Sequence, residues 1–364
     1  MVRADFNLHN SIFLFVFVPL CIVYSIACNW VFPQTPLLYN YMNIGDHQFY
    51  VSTIEQIIDG NLLLSVINND VGISLIYISI SYFFSLIGIN DIILVAFIFN
   101  LGTLFLVYKL YIKICNKLGL IGITKYLFFL GLQFLYFTQL INKDLLTILF
   151  FLLVLNCLLN KQFRWIFFLS IIFFFVRIQL FIFGVLCIYL SFGNIRTRLL
   201  ISYVVTSLFA GFASVNNPII SSESIGEGFS GIVIAANQKY YYIGNLILNP
   251  VRVLQFILDI YYSFYIFFEG LIDVAKVLRL PLLLVLLFHV KPIYQSFSYF
   301  KTFQRTSVSN VQLIILAFLL TWLINPTVNA RYIMLIVPFL LILARFVQLN
   351  KNLMVKDIVV PPKQ

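Results

Sequence analysis

Long runs of apolar residues separated by short polar segments dominate the chain. A helix needs about 20 apolar residues to cross a bilayer core of roughly 30 Å, and fewer where the membrane is thinned. The pattern therefore predicts an all-α polytopic integral membrane protein, a single transmembrane domain over 1–364 with about ten spans. The predicted spans are 11–32, 92–112, 120–141, 145–159, 165–192 as two short helices, 199–216, 271–290, 308–325 and 332–348.

The stretch 33–91 predicts a first outer loop whose helices lie on the membrane instead of crossing it. Its first helix is amphipathic, ends at Gly60 and has Asp46 just before its start. The run 71–88 carries four serines and two tyrosines, so we expect it to lie in the outer leaflet. The apolar face of the first helix consists of Tyr50, Ile54, Ile57 and Ile58.

The composition supports this class of protein. Hydrophobic residues make up 62% of the 364 residues and charged residues 10%, whereas a soluble domain has about 45–50% and about 25%. A soluble fold and a disordered chain are both excluded. The net charge of +10 comes mainly from basic residues in short loops, which favours membrane orientation over nucleic-acid binding.

The distribution of Lys and Arg predicts which segments face the cytoplasm. No Lys or Arg occurs between Arg3 and Lys109, whereas acidic residues fall within 46–70. By the positive-inside rule this stretch lies outside and both termini lie in the cytoplasm. The remaining basic clusters, including Arg196 and Arg198, are then cytoplasmic.

Two acidic residues on the predicted outer face are candidate catalytic groups. Asp46 is either the N-cap of the amphipathic helix or a catalytic carboxylate, and one residue can serve as both. Lys143 and Asp144 form a tight turn between two spans. Taken by themselves, their opposite charges are more typical of an interface turn that caps the next helix.

Lys143 and four further residues are candidates for binding the substrate or its phosphate, and we call these five the phosphate-binding group. An arginine in an apolar stretch is costly unless it faces a cavity or partner, so Arg177 favours a functional interpretation. Arg331 and Tyr332 precede the final span on the predicted outer side, where an arginine suggests an anion. Arg252 follows the long polar part of segment 217–268, predicted as a large outer loop with an interfacial helix. That loop is either a flap over a site or a plain connector.

The sequence contains no pattern typical of a disulfide framework, a metal site, a nucleotide site or a serine nucleophile. The five cysteines lie mostly in apolar runs without a CxxC pair or a histidine at ligand spacing, so they predict small core residues. Glycine-rich nucleotide motifs and a G-x-S-x-G nucleophile are absent. We expect no metal and no cofactor.

An acidic residue and several cations at one membrane surface suit glycosyl transfer. A carboxylate accepts the proton of a sugar hydroxyl, while guanidinium and ammonium groups hold a lipid-linked phosphate as it leaves. The predicted substrate is a polyprenyl-phosphate-linked sugar.

One span followed by an outer loop with Gly45-Asp46 and Tyr50 resembles the GT-C superfamily of membrane glycosyltransferases. The resemblance implies a helical bundle with its site at the outer face. It implies that Asp46 acts as general base or orients the acceptor, and that Asp144 is a second acidic residue. It also implies that Arg177 and Arg331-Tyr332 face the carrier phosphate.

The segments 46–50 and 70–76 also resemble bacterial O-antigen and exopolysaccharide repeat-unit polymerases of the Wzy or EpsG type. That resemblance implies an undecaprenyl-phosphate-linked oligosaccharide as substrate, the bacterial inner membrane as location and polysaccharide-assembly proteins as partners. The first loop has no D-x-D or D-x-E pair, which argues against a metal-dependent mechanism. The alternatives are a transporter or flippase for a lipid-linked saccharide and a non-catalytic membrane scaffold.

Overall fold

A computed structural model describes residues 8–39, 44–60, 71–120, 122–216, 228–298, 307–325 and 330–359. The side chain of Asp46, the loop residues 217–227 and the turn 326–329 lie outside the described part of the chain. The first half of the structure contains helices α1 (Leu8–Gln34), α2 (Ile44–Ile58), α3 (Val71–Ser85), α4 (Ile92–Lys117), α5 (Gln133–Thr138), α6 (Asp144–Leu159), α7 (Phe163–Phe174) and α8 (Ile178–Leu190). The second half contains α9 (Ile195–Asn216), α10 (Gly228–Lys239), α11 (Gly244–Tyr262), α12 (Val274–Phe288), α13 (Val290–Ser298), α14 (Ser307–Trp322) and α15 (Ala330–Val359).

Among the described residues, four helical segments are long and apolar enough to cross a membrane, namely α1, α4, α9 and Arg331–Leu349 of α15. Five shorter apolar helices accompany them: Gly72–Ser85, Asp144–Leu159, Phe163–Phe174, Ile178–Leu190 and Val308–Trp322. A mainly helical protein with several helices long and apolar enough to cross a membrane is therefore confirmed. About ten spans remains a prediction.

The chain divides into two compact units. Unit 1 comprises Met1–Leu153, Ile171–Leu180 and Ser263–Leu284, and unit 2 comprises Val154–Ser170, Phe181–Tyr262 and Val285–Gln364. Unit 1 also contains a small sheet that the sequence did not predict. In it β1 (Leu38–Tyr39) pairs in parallel with β3 (Leu271–Asp273), which pairs antiparallel with β2 (Phe267–Phe268).

The first predicted outer loop contains the two expected helices, α2 and α3. Gly60 follows α2 with φ +83°, a left-handed conformation that glycine adopts without strain, and its N–H donates to Ile57 O at 3.2 Å. The predicted position of Asp46 was wrong by a few residues. Because α2 begins at Ile44, Asp46 lies in the first turn of the helix and not before it.

The predicted span over 120–141 is not a single helix. Two short 3₁₀ segments, Gly122–Lys125 and Leu127–Leu130, precede the six-residue helix α5. Gly122 has φ +76°, and a Cβ at Gly131 would lie 2.7 Å from Leu282, so both glycines meet local requirements that hydropathy does not report. Side chains from other helices bind the irregular backbone that follows α5, as buried polar groups require.

The predicted crossing at 271–290 also differs from the structure. Residues up to Asp273 form β3, and the 15-residue helix α12 follows it. Asp273 accepts a hydrogen bond from the N–H of Lys276 at 3.1 Å and pairs with its ammonium group at 3.8 Å. α12 is not among the apolar helices named above as candidate spans.

Within unit 1, residues predicted inside and residues predicted outside lie at opposite ends. At one end the hydroxyl of Tyr126 lies 2.6 Å from His9 Nδ1, and Lys109 binds Asn10. At the other end, the C-terminal part of α1 and the N-terminus of α4 lie beside Gln139. Phe13, Tyr108 and Phe129 pack between the two ends. The sidedness that the charge distribution predicts for unit 1 stays a prediction.

A cavity of about 410 Å³ in unit 2 is lined by Arg196 and Tyr203 of α9, by Asn249 of α11 and by Leu323 just after α14. The charge rule puts the start of α9 inside the cell and the end of α14 outside. The sidedness of these two segments stays a prediction.

Candidate functional site

The turn before α6 is built around Asn142. Its amide Nδ2 donates to Phe137 O at 2.9 Å and to Leu140 O at 3.0 Å. Its Oδ1 accepts the backbone N–H of Asp144 at 2.9 Å. A single buried amide therefore fixes the backbone on both sides of Lys143 and caps the start of α6.

Asp144 is the first residue of α6 and is fully buried. The sequence favoured an exposed interface turn in which this carboxylate caps the helix. In the structure Asn142 accepts the helix N–H, and the side chain of Asp144 lies in the protein interior. A buried carboxylate is costly without compensating polar groups, and the positive end of a helix dipole supplies one such group.

Helix α2 docks on this turn. The imidazole of His47 accepts the N–H of Ile141 on Nδ1 at 3.1 Å, and burial lowers the pKa of His47 below its ordinary value. The ammonium group of Lys143 lies 6.0 Å from the ring centre of Tyr50, at the limit of a cation–π contact. Asp46 directly precedes His47 in α2, so its backbone lies next to a residue that binds the turn.

Two more buried polar residues, Tyr77 and Asn100, form a hydrogen-bond chain to the backbone of the turn. The hydroxyl of Tyr77 in α3 donates to Asn100 Oδ1 of α4 at 2.7 Å. Asn100 Nδ2 donates to Leu140 O at 2.7 Å and to Thr138 O at 3.3 Å. The sequence analysis missed both residues. The available signal was Asn100 itself, an amide inside a long apolar helix, where a polar group needs a partner.

Arg177 lies in the turn between α7 and α8, as predicted for the segment 165–192, and only 5% of its surface is exposed. The rings of Phe150 in α6 and Phe173 in α7 are 4.9 Å apart. Asp144 lies six residues before Phe150 in α6, and Arg177 lies four residues after Phe173. Since α6 and α7 run in opposite directions, Asp144 and Arg177 lie at the same end of this pair of helices.

The turn of Arg177 also docks on α3. A Cβ at Gly72, in the first turn of α3, would lie 1.7 Å from the carbonyl oxygen of Phe175. Only glycine allows this approach. Lys143, Asp144, Arg177 and the helix that carries Asp46 therefore belong to one compact unit.

Arg252 has a different role from the one predicted. It lies in unit 2 and is fully buried. Its Nη1 donates to Asn249 Oδ1 at 2.8 Å and to Leu323 O at 2.7 Å, and its Nη2 donates to Asn325 O. These carbonyls follow α14, where the helix leaves acceptors without internal donors. Arg252 thus binds the C-terminal end of α14, and we leave it out of the phosphate-binding group.

Arg331 and Tyr332 begin the candidate span in α15 and are half-buried. The ring of Tyr332 lies 6.2 Å from that of Trp322. Both residues belong to unit 2. The prediction that they share a pocket with Asp46 stays a prediction.

Among the described residues, no group of three or more His, Cys, Asp and Glu side chains could hold a metal ion. All five cysteines are buried free thiols, as the sequence predicted. In comparisons with known proteins, no protein-family model, curated protein or solved structure matches the chain.

Proposed function

We propose that the protein is a bacterial membrane glycosyltransferase that uses a polyprenyl-phosphate-linked sugar or oligosaccharide at the outer face of the inner membrane. Repeat-unit polymerisation of a surface polysaccharide is the specific reaction we favour. The observation that carries the proposal is that a buried carboxylate, Asp144, and a buried guanidinium, Arg177, lie at the same end of the α6–α7 pair.

The chemistry follows from these charges. The acceptor hydroxyl attacks the anomeric carbon of the donor sugar, and the bond from that carbon to the phosphate oxygen breaks. Asp46 takes the proton of the hydroxyl, and the polyprenyl phosphate leaves with the bonding electron pair. Arg177 and Lys143 stabilise the charge that develops on the phosphate. Cations fixed in a buried setting stabilise this charge more strongly than cations in water.

Asp144 is the second acidic residue of the proposal. A buried anion in the same unit as Lys143 and Arg177 holds cations in orientation before the substrate arrives. We therefore assign Asp144 a positioning role and Asp46 the proton transfer. This division predicts that Asp46→Asn lowers the rate of transfer more than it weakens donor binding, whereas Asp144→Asn affects both.

The test is a transfer assay with the purified full chain in detergent, using an undecaprenyl-phosphate-linked oligosaccharide and following the new glycosidic bond by mass spectrometry. Asp46→Asn, Asp144→Asn and Arg177→Gln should lower transfer by about 100-fold or more, the magnitude typical of such groups. The matched controls are Glu55→Gln on the exposed side of α2 and Arg164→Gln on the exposed side of α7. Both should retain transfer.

The assay also separates the transporter alternative, because a flippase forms no glycosidic bond in a detergent micelle. If the unaltered chain forms no glycosidic bond and the variants lose translocation of the lipid-linked saccharide, the protein is a transporter and the proposal is wrong. Normal transfer by Asp46→Asn would remove Asp46 from the mechanism.

A further inference from the structure

A cavity of about 510 Å³ opens in unit 1 between α1 and the start of α4. Ligand pockets in proteins run from about 300 to 1,000 Å³, so its size suits a small ligand. None of the residues that line it belongs to the carboxylate and phosphate-binding groups discussed above. They are Ser25, Ile26, Asn29, Trp30, Asp91, Ile93, Leu94, Phe97 and Gln139.

The polar groups of the cavity are those that bind neutral hydroxyl-rich molecules. Asn29 and Gln139 offer amides, Asp91 offers a carboxylate and Trp30 offers an indole ring. An amide both donates hydrogen bonds to hydroxyl groups and accepts them, and a carboxylate accepts them. An aromatic face packs on the C–H surface of a sugar ring. In the described part of the chain no Lys or Arg lines the cavity, so the lining residues suit a neutral ligand better than a phosphate.

The backbone of α1 is π-helical in part of the segment that lines the cavity. Residues Ala27–Val31 form a π-helical turn in which the N–H of Phe32 donates to Ala27 O. Such turns are rare and occur frequently at functional sites. This turn carries both Asn29 and Trp30, and 72% of the surface of Trp30 is exposed.

Asp91 is fixed in place but keeps an oxygen for a ligand. Its Oδ1 accepts the N–H groups of Ile93 at 2.8 Å and Leu94 at 3.4 Å, which caps α4. The carboxylate is exposed, and its Oδ2 is not engaged by the cap. A carboxylate held by two backbone donors is a preorganised acceptor for a sugar hydroxyl.

We propose that this cavity is a saccharide subsite that stacks one sugar ring on Trp30 and binds its hydroxyls through Asp91, Asn29 and Gln139. The assignment of this saccharide as the acceptor rests on the proposed function. Gln139 and Asp144 are five residues apart in the chain, and five residues span at most about 18 Å. A bound oligosaccharide of a few rings therefore reaches from the cavity to the end of the unit that carries Asp144.

The test measures binding without transfer. The full chain in lipid nanodiscs is titrated with methyl glycosides of glucose, galactose and N-acetylglucosamine and with their β-linked disaccharides, and binding is followed by saturation-transfer NMR. Asp91→Asn keeps a capping side chain and removes the charge. Trp30→Leu removes the ring. Trp165→Leu, which replaces another exposed tryptophan on α7, is the matched control.

We expect at least one glycoside to bind the unaltered chain and the Trp165→Leu variant equally. Trp30→Leu and Asp91→Asn should each weaken that binding about five- to tenfold, the effect of losing one good contact. Absence of binding by every glycoside, or equal binding by all the variants, would overturn the subsite. Binding that depends on Trp30 while no transfer is found in the assay above would keep the subsite and reject the glycosyltransferase.

Discussion

Gly72 and Phe175 approach so closely that a Cβ at position 72 would lie 1.7 Å from the carbonyl oxygen of Phe175. The two residues are about 100 positions apart in the chain. Their contact fixes the turn of Arg177 against the first turn of α3. The position of the buried guanidinium thus depends on a residue that has no side chain.

Gly72→Ala should therefore destabilise the protein, because the added methyl group forces the turn of Arg177 away from α3. We expect a loss of about 1–3 kcal/mol in the free energy of unfolding, the usual cost of overpacking. The measurement is chemical or thermal unfolding in detergent. Gly102→Ala in α4 is the control, since a Cβ there meets no atom within 4 Å. It should leave stability unchanged or raise it through helix propensity. Equal effects of the two substitutions would contradict the close contact.

Tyr77 and Asn100 should be energetically coupled. Tyr77→Phe removes the donor of the 2.7 Å bond, and Asn100→Leu removes the donor to Leu140 O and Thr138 O as well. Asn100→Leu should cost about 2–4 kcal/mol, because it removes a donor from two buried carbonyls and the acceptor of the Tyr77 hydroxyl. In a double-mutant cycle we expect a coupling of about 0.5–1.5 kcal/mol. The control cycle uses Tyr82→Phe, at an exposed tyrosine of α3, in place of Tyr77→Phe. If the coupling of Asn100 to Tyr77 is no larger than its coupling to Tyr82, the hydrogen bond is contradicted.

Stability should fall on acidification in a way that depends on His47. Burial lowers its pKa in the folded protein below the value of 6.5 that applies when unfolded. As the pH falls below 6.5, the unfolded chain takes up a proton that the folded protein excludes, so the folded state loses stability until the pH passes below the folded pKa. The slope is at most about 1.4 kcal/mol per pH unit. Unfolding between pH 7.5 and 5.5 should show this loss for the unaltered chain and a smaller loss for His47→Gln. The same pH dependence in both proteins would count against a buried neutral imidazole.

Substitution of Arg252 should affect folding and not transfer. Arg252→Gln leaves Leu323 O and Asn325 O with fewer donors, and we expect a loss of about 2–4 kcal/mol in stability. Arg252→Lys should recover part of that loss, since an ammonium group donates to fewer acceptors in fixed geometry. Transfer per folded molecule should stay within about twofold of the unaltered chain. Unchanged stability with loss of transfer would return Arg252 to the phosphate-binding group.

Periodicity and hydropathy predicted several of the helices and the turns between them. They predicted α2 with its glycine stop, α3, and the pair α7 and α8 with Arg177 between them. These features depend on local patterns of apolar residues and on one glycine. The segment 120–141 was predicted less well, because its backbone bonds to Asn100 and Asn142, and hydropathy reports none of those contacts.

The sequence predicted which charged residues belong to the candidate site. It did not predict their burial or their hydrogen-bond partners. Asp144 looked like an exposed cap, yet the structure buries it because Asn142 performs the capping. Arg252 looked like a phosphate ligand, yet it binds carbonyls that lie 71 and 73 residues away in the chain. Such long-range partners cannot be inferred from a single sequence. The pairing of β1 with β3 was missed for the same reason, since Leu38 and Ile272 lie far apart in the chain.

The central claim is that the lipid-linked donor binds at the end of unit 1 that carries Lys143, Asp144 and Arg177. A polyprenyl-phosphate donor with a diazirine next to the phosphate tests it directly in membranes that contain the unaltered full chain. After irradiation, mass spectrometry should find the donor attached to peptides that contain residues 139–147 and 175–180, and excess unlabelled donor should prevent the attachment. Specific attachment confined to residues of unit 2, with none in these two segments, would contradict the account.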